Sequence, residues 1–143
     1  GAVSVDVFRP EPRAYGRLVE ALRNSGLCGI FPEGGRSRDG LPSQIKAGAG
    51  ALALRTGAPV VPATIWGGHR AWPPRLTLPR PEPMEVIFQP PVRVSELSAG
   101  GEADRVEVTY SIMHKVADGF RLLGHPRMAA RWHGILEKRE VSR

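Results

Sequence analysis

Three short apolar runs, separated by two helix-length segments, set the frame for this chain. Val3, Val5 and Val7 alternate with Ser4 and Asp6. Leu27 to Phe31 is a run bounded by Gly26 and Pro32, and Val60 to Trp66 follows Pro59. Alternation at period two predicts a half-exposed strand, and short runs bounded by glycine or proline predict buried ones. Between the first two runs, Tyr15, Leu18, Val19 and Leu22 repeat at helical spacing over 12–24, closed by Ser25-Gly26. Between the second and third, the alanine-rich stretch 45–56 predicts a helix ending at Gly57, weakened by Gly48 and Gly50. Strand, helix, strand, helix, strand is the pattern of an α/β fold: a mostly parallel sheet with covering helices.

Pro62 inside the third run argues for an edge strand or a bulge there. Residues 67–83, with Pro73, Pro74, Pro79, Pro81 and Pro83 among Arg70, Arg75 and Arg80, predict an exposed irregular loop. Met84 to Phe88 reads as a fourth strand. Val106, Tyr110, Met113, Val116, Phe120 and Leu123 line one face of a long helix stopped by Gly124.

A chain of 143 residues with 41% apolar content can bury one real core. The net charge of +6 is carried mostly by arginine, because only Lys46, Lys115 and Lys138 are lysine. Arginine favours phosphate and carboxylate through its planar fork, so the partners to weigh are nucleic acid, an anionic membrane surface and a phosphorylated small molecule. Aromatic residues are not interleaved with the basic ones as stacking platforms for bases would be, which disfavours nucleic acid. No apolar run reaches membrane-spanning length and no signal peptide is visible. Cys28, the single cysteine, has no internal disulfide partner and reads as a buried structural thiol in "GLCGIF". The chain opens at Gly1 inside a strand pattern, which reads as a fragment or a processed piece.

The candidate site is "IFPEGGRSRDG", residues 30–40. In parallel α/β folds, ligands sit beyond the carboxyl ends of the strands, and this loop leaves such an end. Gly34 and Gly35 permit close backbone approach, Arg36 can hold a phosphate through two parallel hydrogen bonds, and Glu33 can hold the guanidinium in place beforehand. The composition alone also fits a surface turn with a solvated ion pair. No GK[ST] follows, so this is no Walker loop, and no G-x-G-x-x-G occurs. No pair of histidines stands at metal-binding spacing. His69, at the end of the third run, could face a ligand. His114 and Asp118 stand four apart in the long helix. Trp66 reads as core and Trp72 as a wall of an acyl path or a membrane-interface residue. Arg127, Arg131 and Arg139 mark the tail either as a solvated helix or as a contact for anionic lipid.

These motifs, in this order, resemble those of the glycerolipid acyltransferases, the 1-acylglycerol-3-phosphate (lysophospholipid) acyltransferase family. "FPEGGRSRDG" is similar to the family's F-P-E-G-T-R-S motif, with Gly35 in place of threonine. "APVVPATIWG" is similar to its later V-P-I-V-P-V strand, and "LPSQIKAGAGALALRTG" to its lysine-and-glycine helix, with Lys46 and Gly48 in register. "GAVSVDV" is similar to its G-x-x-F-[IV]-x-R strand, with Ser4 for the aromatic and Val7 for the arginine, so Arg9 would have to substitute. The resemblance covers residues 1–92, leaving 93–143 as a helical C-terminal extension.

The resemblance implies an α/β acyltransferase domain, here incomplete at its N-terminus. It implies transfer of an acyl chain from acyl-CoA or acyl-carrier protein to a lysophospholipid acceptor, as part of phospholipid biosynthesis. The place of action would be the cytoplasmic face of a membrane, peripheral or anchored by the upstream part. The acceptor phosphate would sit on Pro32, Glu33, Gly34, Gly35, Arg36 and Ser37, with Arg36 the main ligand. No metal or bound cofactor is implied, the acyl donor being a substrate. The family's catalytic H-x-x-x-x-D motif lies upstream of these motifs and does not occur here: five residues beyond His69, His114, His125 and His133 stand Pro74, Gly119, Ala130 and Lys138. The chain is thus read as the carboxy-terminal part of a longer enzyme. The alternative is a non-catalytic membrane-binding module that keeps the fold.

Overall fold

The computed structural model describes residues 12–42, 44–97 and 104–142. The strand expected at 3–7 and the substitute Arg9 lie outside them. Helix α1 (Pro12–Arg23) forms where the helical spacing predicts it and buries Ala14 and Val19. It ends in a Schellman turn. Gly26 N–H donates to Ala21 O (2.8 Å), Ser25 N–H donates to Leu22 O (3.2 Å), and Ser25 takes the left-handed conformation at φ 59°.

Leu27 to Phe31 is not a buried strand. The segment has no ladder partner, and Leu27 and Phe31 are 95% and 69% exposed. An extended segment becomes a strand only when a neighbour takes up its N–H and C=O groups, and none of the described segments does so here. Cys28 is accordingly half-buried rather than buried, with its Sγ 3.8 Å from Leu18 O.

Helix α2 (Gly48–Thr56) starts three residues later than the spacing predicts, because Lys46 N–H donates to Pro32 O (2.9 Å) and ties that end to the preceding loop. Strand β1 (Ala63–Trp66), a short helix α3 (Gly68–Ala71), strand β2 (Glu85–Phe88) and a short helix α4 (Val94–Leu97) follow. The described strands pair antiparallel, with Ala63 opposite Phe88, Thr64 opposite Ile87, Ile65 opposite Val86 and Trp66 opposite Glu85. The mostly parallel sheet expected from the element order does not form among the described residues. What forms is a mixed fold of helices around a two-stranded antiparallel sheet. Pro62 interrupts the third run as expected: Val60 makes an isolated bridge to Val92, and the ladder begins only at Ala63.

Helix α5 (Arg105–Leu122) is the centre of the molecule, packing against α6 (Pro126–Val141), α2 and β1. Its apolar face buries Val108, Tyr110, Ile112, Met113, Ala117 and Phe120. Helix α6 adds Ala129, Trp132 and Leu136 at helical spacing, so the tail is a packed helix. Polar groups lock the seams. Thr64 Oγ1 donates to Val116 O (2.6 Å) and Gln89 Nε2 to Lys115 O (2.6 Å). Gly50 N–H donates to Thr109 Oγ1 (2.9 Å). Where β1 crosses α5, the space is taken: a Cβ on Gly119 would overlap Thr64 Oγ1 and lie 2.7 Å from Thr64 Cβ.

One face of the sheet is packed and the other is open. Thr64 is buried against α5, whereas Val61, Ile65, Val86 and Phe88 are exposed, Phe88 at 72%. No described helix is long and apolar enough to cross a membrane.

The crowding at Gly119 generates a signed prediction. Gly119→Ala should lower stability by about 1–3 kcal/mol through overpacking against Thr64. Gly134→Ala, in α6 with nothing within 4 Å of the new methyl, should raise it by about 0.5–1 kcal/mol through helix propensity. Urea denaturation of the two variants measures both; equal shifts would mean that the β1–α5 contact is looser than described.

Candidate functional site

The loop 32–41 is a fixed structure. Gly34 sits in the left-handed region (φ 66°) with its N–H on Phe31 O (3.0 Å). A Cβ there would stand 2.9 Å from Lys46 Cε, so glycine is needed for both conformation and space. Ser37 Oγ donates to Leu41 O (2.9 Å), and Leu41 N–H donates to Asp39 Oδ1 (3.1 Å). Ser37 therefore holds its own loop rather than facing outward. Gly40 O accepts from Trp132 Nε1–H (2.9 Å), which fastens the loop to α6.

Arg36 is held from the side opposite to the one expected. Its guanidinium lies 4.8 Å from the centroid of the Trp72 ring. Nη1 donates to Pro73 O and Leu76 O at 3.4 Å, and Nη2 to Pro74 O at 3.5 Å. Glu33 makes no ion pair with Arg36 among the described residues; the aromatic face and three carbonyls do the orienting. Of the five N–H donors of the guanidinium, these bonds use three, leaving Nε–H and one on Nη2 without a protein partner among the described residues.

Arg36, Glu33, Gly34, Gly35 and Ser37 line a cavity of about 590 Å³, walled on its other sides by apolar groups such as Ile65, Trp66, Trp72, Met84 and Phe120. A polar rim on an apolar cavity suits a ligand with an anionic head and a hydrophobic body. Pro32 contributes through its carbonyl, which holds Lys46. Burial pushes the Glu33 carboxyl above its usual range.

His69 also lines the cavity, its ring against Gly40 and edge-on to Trp66 (6.1 Å). Burial lowers its pKa first and the charge of Arg70 lowers it further, while Asp39 opposes them. The site thus favours neutral imidazole. No carboxylate hydrogen-bonds it among the described residues. The His114 and Asp118 spacing does not make a pair either. Asp118 accepts from His133 Nε2 (3.0 Å), while His114 meets His133 (Nδ1 to Nδ1, 2.8 Å) and Glu140 (3.3 Å). This network joins α5 to α6 away from the cavity. Trp66 packs as expected of a core residue, stacked on His125 at 4.0 Å. Among the described residues, no group of three or more His, Cys, Asp or Glu is placed to hold a metal ion.

Sequence reasoning missed two parts of the site: the proline strap that seats Arg36, and Trp132, which anchors Gly40 from 92 residues away. The pairing of a tryptophan with two prolines, "WPP", is the one local signal for the strap.

The buried carboxyl gives a pH prediction. A raised carboxyl pKa means that the fold favours the protonated form, a contribution present at low pH and lost as pH rises through the folded-state value. Glu33→Gln removes the cost of the buried charge. Its denaturation midpoint should exceed that of the parent near neutral pH, and the two should converge below the ordinary carboxylate range, about pH 4. A pH-independent difference would mean that packing, not charge, is responsible.

Known proteins carry the same segment. The sequence profile of the family described as Acyltransferase matches residues 1–66. A 1-acyl-sn-glycerol-3-phosphate acyltransferase of Limnanthes douglasii is 35% identical over 83 residues, covering 58% of this chain and 30% of the relative. A chloroplastic 1-acyl-sn-glycerol-3-phosphate acyltransferase of Arabidopsis thaliana is 37% identical over 73 residues, 48% of this chain and 20% of the relative. The enzyme of that name from Borreliella burgdorferi is 36% identical over 59 residues, covering 41% and 24%. The chain therefore spans less than a third of the length of these relatives. No solved structure matches. Through the segment that these matches share, the chain is similar to the acyltransferase family.

Proposed function

We propose that this chain supplies the acceptor-phosphate site of an enzyme that transfers an acyl chain from acyl-CoA or acyl-carrier protein to a lysophospholipid such as 1-acylglycerol-3-phosphate. The observation that carries the reading is Arg36, lining an apolar cavity with two donors that no described residue takes up. A glycerol phosphate head fits the arginine and an acyl chain fits the apolar wall. The names of these relatives describe the same acceptor chemistry.

The acyl transfer needs a general base on the acceptor hydroxyl, oriented by a carboxylate. The sequence holds no H-x-x-x-x-D, and His69 has no orienting carboxylate within hydrogen-bond reach among the described residues. On this reading the base would come from outside this chain. The open face of the sheet supports this reading: Val61, Ile65, Val86 and Phe88 form an apolar surface beside an edge of β1 that no described residue pairs. An upstream segment that paired with that edge could extend the sheet toward the mostly parallel arrangement. In the assembled enzyme the cavity would open toward a membrane surface, and 93–143 would be its C-terminal extension.

Chemically, the loop's part is recognition. The Arg36 fork binds the phosphate and the apolar wall receives the chain. On this reading the 143-residue chain alone gives no turnover with lysophosphatidic acid and an acyl-CoA. Turnover matching an intact relative would show that a base has been missed, with His69 the first suspect.

Joined to the H-x-x-x-x-D segment of a relative, the chain should gain activity. In that enzyme Arg36→Ala should lower kcat/KM for a phosphate monoester acceptor roughly ten- to a hundredfold, the weight of a charge-assisted bidentate contact of about 1.5–3 kcal/mol. Arg36→Lys should recover only part, since it keeps the charge and loses the fork. Arg38→Ala should matter far less. Loss with Arg38→Ala but not Arg36→Ala would place the phosphate elsewhere on the loop; indifference to both would leave a non-catalytic module as the better reading.

A further inference from the structure

The segment 72–79 has a place in this site that its sequence did not announce. Trp72 lies under the Arg36 guanidinium at 4.8 Å, and its own Nε1–H donates to Leu76 O at 3.1 Å. Leu76 N–H donates to Pro73 O (3.0 Å), closing a tight turn, and Arg80 N–H donates to Ala71 O (2.7 Å), closing the strap at its base. Pro73 and Pro74 have fixed φ and no N–H, and Pro74 also restricts ψ of Pro73, so this part of the strap has little backbone freedom to lose. Those two carbonyls and that of Leu76 are the ones that receive Arg36.

We infer that Trp72 and the carbonyls of Pro73, Pro74 and Leu76 form a positioning seat for Arg36, built to present its unused donor edge to a phosphate monoester. This rests on the proposed role of Arg36 and goes beyond it by assigning specificity to a loop that carries no charged ligand of its own. Three features support it. The carbonyl bonds are long, 3.4–3.5 Å, so the seat orients the guanidinium through several weak contacts that occupy three of its five donors. Both bonds on Nη1 point into the strap, which leaves Nε–H and the remaining Nη2 donor for a bidentate contact. Trp72 and Pro79 also wall the cavity, so the seat fixes the phosphate site relative to the apolar wall. Arginine loses up to about 2 kcal/mol of rotamer freedom when immobilised, and a seat places that cost before ligand arrival.

The strap contains a convenient reporter. Trypsin can cut after Arg75, which is exposed, whereas Arg80 is followed by Pro81. The probe is sn-glycerol 3-phosphate, with glycerol as the control lacking the phosphate. In the parent chain, glycerol 3-phosphate should slow cleavage at Arg75-Leu76 in a saturable way and glycerol should not. Trp72→Leu keeps apolar bulk but removes the π face and the Nε1 donor. It should speed cleavage without ligand and raise the half-protecting concentration about three- to tenfold, the range of a cation–π contact at a partly exposed site. Trp72→Phe, which keeps a ring face, should recover most of the affinity. Arg36→Ala should free the strap and abolish protection. Far-UV circular dichroism and urea midpoints like those of the parent establish that the variants are folded.

Unchanged protection by glycerol 3-phosphate in Trp72→Leu would overturn the seat and leave the phosphate reading standing. No saturable protection and no heat of binding in the parent would overturn the phosphate reading, and the seat with it. Equal loss in Trp72→Phe and Trp72→Leu would reduce Trp72 to a structural residue and also overturn the proposal.

Discussion

The structure depends on how closely β1 can approach α5. At Gly119 the helix has no side chain, and Thr64 fills the space with its hydroxyl on Val116 O. That contact sets the depth of the strand against the helix and so the position of Trp66 next to Phe120 (6.3 Å). The same helix packs α6 on its other side, and α6 carries Trp132, whose indole holds Gly40 O. A core seam is thereby connected to the loop 32–41 through rigid groups. That loop is local in sequence, yet its position is set by a helix about ninety residues later.

The electrostatics of the loop combine opposites. Arg36 is exposed, shared among weak acceptors and stacked on an indole, which keeps it oriented. Glu33, three residues earlier, is pushed toward its neutral form by burial.

Much of the helical structure was legible in the sequence, and much of the sheet was not. Tyr15, Leu18, Val19 and Leu22 mark α1, and the apolar spacing from Val106 to Phe120 marks α5, because helical hydrogen bonds are satisfied within the segment that carries the pattern. Leu27 to Phe31 has an equally strong apolar signal, but a strand needs a partner that its own residues cannot specify. The direction of pairing between β1 and β2 was invisible for the same reason. At the site, the glycines and Arg36 were legible because F-P-E-G is a local motif. Trp72, Trp132 and the joining of Asp118 to His133 were not, because each is a contact between segments that sequence spacing does not relate.

The open face of the sheet has a thermodynamic meaning of its own. Val61, Ile65, Val86 and Phe88 lie exposed beside a strand edge that no described residue pairs. Each Å² of apolar area withdrawn from water there contributes on the order of 25 cal/mol. The stability of this chain is therefore linked to whatever occupies that face. An occupant that binds the folded form alone raises unfolding free energy with the logarithm of its concentration, and covalent attachment makes that effective concentration high and permanent. Left bare, the same edge invites pairing with other copies. Its melting temperature is then a property of the chain and its concentration together.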